Sequence, residues 1–212
     1  KSSLPHPPDS YSTAHCLHAA YPSSLPRLPS SSRKVRSIME NDEAPNLILP
    51  NLYLGSVLAR KDPRDLAQID VKHVIDLSRQ KNPEVQGISY TNVDVMDRDT
   101  DITRHFPATH ATINQALERG EGVFVHCSYG ISRSATIVLS YLIAHRKMSL
   151  RAAWLHVRER RRVIQPNVSF LKQLIAWELK HTSCTTLRIG TYGELLWQDP
   201  APVENKAQEE EE

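Results

Sequence analysis

The chain has 212 residues, with 26 Lys and Arg against 24 Asp and Glu, a net charge of +2 and a hydrophobic content of 40%. That balance predicts no strong attraction to nucleic acid or to a membrane surface, and no apolar run approaches the ~18 residues of a membrane span. The three cysteines, Cys16, Cys127 and Cys184, form neither a metal-ligand spacing nor an even disulfide set.

Residues 1–38 contain no Gly and six of the chain's 14 prolines, and their apolar residues follow no period. The segment reads as disordered, without the apolar stretch of a signal peptide. The chain opens on Lys1, which reads as a fragment or a chain lacking its initiator. The expected organisation is a Ser/Pro-rich disordered tail over 1–43, a folded domain over 44–184 and a flexible tail over 185–212 that closes on the acidic run Glu209 to Glu212.

Within the domain, Leu52 to Leu54 read as a short strand that Gly55 ends. Asp62-Pro63 is a helix start, with Asp as N-cap and Pro at the first helical position. Val71 to Leu77 and Ile88 to Val95 read as the second and third strands, separated by a polar loop. Ile102, Phe106, Ile113 and Leu117 follow at helical steps, with Asp101 as the expected cap. Gly120 and Gly122 stop that helix and launch a buried strand at Val123, Phe124 and Val125. A loop from His126 to Arg133 leads into a helix that is apolar around most of its circumference, from Ser134 to Ile143. Ser149 can cap the next helix, and Asn167 the last, where Phe170, Leu174 and Trp177 share a side. This alternation predicts an α/β fold: a central mixed, mostly parallel sheet flanked by helices.

The loop from His126 to Arg133 carries the chemistry. A helix N-terminus offers unpaired N–H groups and the positive end of a dipole, and a loop feeding into it adds donors, so the pair makes a cradle for a tetrahedral oxyanion. Gly130 permits a left-handed dihedral or close backbone approach. Arg133 can bind two anion oxygens as a planar fork. Cys127 lies at the base of this positive cup, where a thiolate is stabilised. An anion receptor with a thiolate at its base is a nucleophilic site for phosphoryl transfer.

His126-Cys127-Ser128-Tyr129-Gly130-Ile131-Ser132-Arg133-Ser134 resembles the His-Cys-x-x-Gly-x-x-Arg-Ser/Thr signature of cysteine-dependent protein phosphatases, and the surrounding sequence, over roughly Ala44 to Cys184, is most similar to the small atypical members of the dual-specificity branch. Arg160 to Asn167 continues the likeness to an Arg-Arg-Pro-x-Ile-x-Pro-Asn segment, with Arg162 in place of the proline and Ser169 in place of a usual glycine. The resemblance implies the fold of that superfamily and a metal-independent hydrolase without a cofactor. In it Cys127 is the nucleophile, Arg133 and the backbone of Ser128, Tyr129, Gly130, Ile131 and Ser132 bind the phosphoryl group, Ser134 hydrogen-bonds the sulfur, and His126 shapes the loop.

Turnover also needs a carboxyl group, acid in the first step and base in the second. Asp94, Asp97, Asp99 and Asp101 are the candidates. The likeness of Tyr90-x-x-Val93-x-x-x-Asp97 to the family spacing favours Asp97, with Asp99 its competitor; Asp94 reads as part of the strand. Asn167 can buttress the site, but helix capping is an adequate explanation for it. The basic run Arg158 to Arg162 reads as a solvated helix face with intrahelical pairing, the alternative being a surface that favours acidic or doubly phosphorylated substrates. Scattered histidines, among them His105, His110 and His156, form no ligand pattern and read as surface or interface residues.

Family analogy implies phosphoprotein substrates, signalling kinases among them, bearing phosphotyrosine or phosphoserine/phosphothreonine. A non-protein phosphate (a phosphoinositide or an RNA end) and a non-catalytic phosphate-binding module are the alternatives. A reactive thiolate needs a reducing compartment, so the cytosol or nucleus is expected.

Overall fold

A computed structural model describes residues 44–60, 63–83, 85–98 and 101–202. The expected tail over 1–43, Asp62 and Asp99 lie outside the described residues.

Five strands form one sheet: β1 (Asn46–Leu49), β2 (Leu52–Ser56), β3 (Val71–Asp76), β4 (Ser89–Asn92) and β5 (Gly122–Cys127), in the order β1-β2-β5-β3-β4. Only β1 runs antiparallel to its neighbour, so the sheet is mixed and mostly parallel as expected. All six residues of β5 are buried, which is why it reads as a continuous apolar run rather than an alternation. Its register places Ser56 of β2 beside Cys127 and Asp76 of β3 beside His126. The nucleophile candidate therefore sits at the carboxyl edge of parallel strands, where open α/β sheets bind ligands.

The helices are α1 (Pro63–Gln68), α2 (Phe106–Glu118), α3 (Arg133–Arg146), α4 (Leu150–Arg160) and α5 (Val168–Thr182). From Ser134 to Ala144 every residue of α3 is buried, so it is the central helix of the layer, consistent with its all-round apolarity. Ser149 caps α4 by accepting the Ala152 N–H at 3.2 Å, and Asn167 caps α5 by accepting that of Phe170 at 2.9 Å. The helix predicted from Ile102 begins later: a 3-10 turn spans Thr103–His105 and α2 opens at Phe106. Pro107 has no N–H to give and belongs in a first turn, so an α-helix continuous from Ile102 would have placed it in the interior. Asp101 instead closes a local turn, accepting from Thr103 N at 2.9 Å and Thr103 Oγ1 at 2.7 Å.

Two further readings are corrected. β4 ends at Asn92, so Asp94 is not in the strand; it is exposed and paired with Arg79 at 2.7 Å. The flexible tail expected from residue 185 instead contributes to an antiparallel hairpin, β6 (Cys184–Ile189) with β7 (Leu195–Pro202). The hairpin packs on the domain through buried Leu187 and through Trp197 against Trp154, at 5.4 Å between ring centroids. Glu178 of α5 fastens it: the buried carboxylate accepts Thr186 N at 2.9 Å, Thr186 Oγ1 at 2.6 Å and Leu150 N at 2.7 Å. Among the described residues no helix is long and apolar enough to cross a membrane.

Candidate active site

β5 delivers Cys127 to the floor of the loop, and α3 begins at Arg133. The Cys127 side chain is buried, and two donors converge on its sulfur: Gly130 N–H and Ser134 Oγ–H, each at 3.2 Å. Both would stabilise a thiolate. Gly130 has φ +63°, and a Cβ there would collide with the Gly55 carbonyl of β2 and the Arg161 guanidinium. Glycine is thus required by handedness and by space at once.

Arg133 lies over the cup. Its Nη1 donates to Leu77 O at 2.6 Å and reaches Val95 O at 3.5 Å, while Nη2 donates to Ser128 Oγ at 3.0 Å. Nε–H is buried and has no acceptor. One edge of the guanidinium is therefore anchored to the backbone beyond β3 and β4, leaving Nε and Nη2 as the pair of donors that a tetrahedral anion could bridge.

The carbonyls of the loop are held from outside. Arg161 donates Nη2 to Tyr129 O at 3.0 Å and Nε to Gly130 O at 2.7 Å. Gln165 N donates to Ile131 O at 2.8 Å, and Thr136 N and Oγ1 both donate to Ser132 O at 2.8 Å. Tyr129 is 60% exposed, so it stands at the mouth of the cup rather than in its wall. His126 is buried beside Asp76, 3.7 Å between Nε2 and Oδ1, with its ring stacked on Phe124.

Asp97 is exposed on the segment after β4. Its backbone carbonyl accepts the side-chain amide of Asn167, whose own N–H donates to Ser132 Oγ at 3.2 Å. Asp97 is thereby linked to the loop through a single residue.

The structure brings Cys127, Gly130, Arg133 and Ser134 together around one loop. Asn167 does more than cap a helix, and Arg161 is not part of a solvated face but 4% exposed, with Nη1 donating to Asn46 Oδ1 at 2.8 Å. The sequence signal for both was their place in the Arg-Arg-Pro-x-Ile-x-Pro-Asn-like segment. The departures from the family pattern, Arg162 in that segment and Ser169 two residues beyond it, are both exposed. Among the scattered histidines His110 is not a surface residue: it is buried and pairs with Ser140 Oγ at 2.9 Å.

Residues 52–180 match the family model for the dual specificity phosphatase catalytic domain. Dual specificity protein phosphatase 1 of Arabidopsis thaliana is 36% identical over 143 residues, covering 66% of this chain and 72% of that protein. Dual specificity protein phosphatase 22 of Homo sapiens is 34% identical over 137 residues, covering 64% of this chain and 74% of that protein. The protein phosphatase Slingshot homolog of Xenopus laevis is 34% identical over 145 residues, but the match spans only 21% of that longer protein. Among solved structures, human DUSP28 superposes with a TM-score of 0.60 at 32% identity, over 64% of this chain and 93% of that one. The human tyrosine phosphatase-like serine/threonine/tyrosine-interacting protein does so with a TM-score of 0.61 at 32% identity, over 65% and 97%. A thiol under two donors at the carboxyl edge of the parallel strands, an arginine fork at the head of the next helix and a family match from β2 into α5 agree, and the chain belongs to the dual-specificity protein phosphatase family.

Proposed function

We propose that the chain hydrolyses phosphotyrosine and phosphoserine/phosphothreonine in phosphoproteins through a phosphocysteine intermediate. The observation that carries this reading is the convergence of Gly130 N–H and Ser134 Oγ–H on Cys127 Sγ beneath the Arg133 fork. The Cys127 thiolate attacks phosphorus in line with the leaving oxygen; the S–P bond forms as the P–O bond breaks. Asp97 supplies the proton to the departing alkoxide or phenoxide. The loop amides and Arg133 bind the three non-bridging oxygens and the charge they carry in the transition state. A water then attacks phosphorus, Asp97 takes its proton, and the S–P bond breaks to release inorganic phosphate. Ser134 Oγ–H steadies the sulfur as it departs as a thiolate.

Protein substrates are favoured over phosphoinositides and RNA ends because the variable loop positions, Ser128, Tyr129, Ile131 and Ser132, carry no basic side chain to meet additional phosphates. A thiolate nucleophile works in a reducing compartment, so the cytosol or nucleus is the proposed site of action.

The test is hydrolysis of an aryl phosphate and of phosphotyrosine, phosphoserine and phosphothreonine peptides without added metal, by wild type, Cys127→Ser and Asp97→Ala. Activity lost in Cys127→Ser, with Asp97→Ala losing the fall in rate at high pH, supports the mechanism. A wild-type profile in Asp97→Ala moves the acid to another group, Asp99 first. A wild type that binds vanadate yet turns nothing over overturns the enzyme in favour of a binding module.

A further inference from the structure

Four consecutive carbonyls of the phosphate loop point away from its cup, and they are held in two different ways. Ile131 O and Ser132 O are bound by the backbone of Gln165 and by Thr136 of α3, in the segments that immediately surround the loop in the fold. Tyr129 O and Gly130 O are bound by one side chain, Arg161, which projects from the C-terminal end of α4.

The carbonyl of one residue and the N–H of the next lie on opposite sides of a planar trans peptide. Holding Tyr129 O outside turns Gly130 N–H inward, and that N–H indeed lies 3.2 Å from Cys127 Sγ. Holding Gly130 O outside does the same for the N–H of Ile131. These two peptides need such a clamp more than their neighbours, because they flank a glycine at φ +63° whose backbone has little rotameric preference of its own. A planar fork holds two adjacent carbonyls in fixed directions from separate nitrogens while a third serves Asn46, a geometry that a lysine ammonium, with its donors on one atom, does not reproduce. The third arm, Nη1 on Asn46 Oδ1, ties the clamp to β1.

We propose that Arg161 is a positioning residue of the phosphate site, setting two of its oxyanion donors from behind; the inference rests on the phosphatase reading and extends it. Its charge, held behind the loop and away from solvent, also adds to the field that draws an anion into the cup.

The test compares the full chain with Arg161→Lys and, as a control from the same basic run, Arg160→Ala, whose exposed side chain bonds only locally to His156 O and Glu159. Three quantities are measured: kcat/KM on an aryl phosphate, affinity for vanadate, and the pH midpoint of Cys127 alkylation by iodoacetamide. In Arg161→Lys kcat/KM falls about 100-fold, the size of effect that misplacing a site from a distance produces. Vanadate affinity falls in parallel and the alkylation midpoint moves to higher pH, because Gly130 N–H no longer serves the sulfur. Arg160→Ala matches wild type throughout. A folded Arg161→Lys protein with all three quantities within threefold of wild type would overturn the proposal. A variant that melts early is assayed well below its own melting point, and wild-type vanadate affinity there overturns it equally. If the wild-type chain turns over no phosphomonoester, the phosphatase reading falls separately; an unshifted alkylation midpoint in Arg161→Lys still decides against the positioning role.

Discussion

Asn167 donates its side-chain amide to the backbone carbonyl of Asp97, 70 residues earlier in the chain. The same side chain caps α5 through Phe170 N, and the Asn167 N–H donates to Ser132 Oγ. One residue thus joins the segment carrying the proposed acid, the phosphate loop and a helix N-terminus. An asparagine can do this because its amide is donor and acceptor at once.

Asn167→Asp separates those roles. Aspartate caps a helix as well as asparagine does, so α5 should hold and the melting temperature should change little. The donor to Asp97 O is lost and replaced by an acceptor, so the segment bearing Asp97 should move. Proton donation matters most for poor leaving groups. Turnover of phenyl phosphate should therefore fall by about 100-fold, toward the value of a general acid, while 4-nitrophenyl phosphate loses far less. Equal losses on both substrates would place the defect in the cradle instead.

Arg133→Lys keeps the charge and removes the fork. A lysine ammonium cannot hold Leu77 O and Ser128 Oγ while presenting two parallel donors to an anion. The expected outcome is a loss in kcat/KM of about 100-fold or more with most of the effect in kcat, since the fork is matched to the transition-state charge. Steady-state kinetics on an aryl phosphate measure the split.

Gly130→Ala should be worse for the fold than its size suggests. The added Cβ meets Gly55 O and the Arg161 guanidinium at a left-handed φ of +63°. The strained backbone and the displaced clamp together should cost about 1–3 kcal/mol of stability, read from chemical denaturation. Activity should be lost even in the folded fraction, because Gly130 N–H turns away from Cys127.

Stability should fall with acid through His110. This residue is buried between Phe106, Tyr141 and Trp177, and burial, aided by the nearby His145 and His181, pushes its pKa down from 6.5 to about 3. Its folded pKa lies below its unfolded one, so the unfolded chain binds the extra proton first. The penalty is absent above about pH 6.5 and grows as pH falls toward 3, by at most about 1.4 kcal/mol per pH unit from this group. His145 and His181 are also lowered by burial and act in the same direction. Thermal melts between pH 7 and 5 should show a slope that His110→Gln makes shallower; an unchanged slope would assign it to other groups.

Much of the site was legible before any coordinates because its chemistry is local. Cys127, Gly130, Arg133 and Ser134 lie within eight residues of one another, and strand, loop and helix leave their marks over that same window. The sheet was legible too, since apolar runs such as Val123 to Val125 announce strands buried on both faces. Boundaries were less so. Pro107 delayed α2, β4 stopped at Asn92, and the hairpin after Cys184 has a short, half-exposed sequence whose pairing is stabilised by Glu178 and Trp154 from elsewhere.

The sequence by itself determined which groups are present: a thiol, an anion cradle, an arginine fork and a choice of carboxylates, at the spacing of the dual-specificity phosphatase family. Tertiary structure alone decided how those groups are aimed. Arg161 reads in the sequence as one basic residue of a polar run, yet the end of α4 carries it into the interior, onto carbonyls more than thirty residues away. Asn167 reads as a cap, yet it also holds Asp97. Helical period and capping preference report a residue's neighbours along the chain; hydrogen bonds between distant segments depend on where the sheet and helices place them, and no local pattern encodes that.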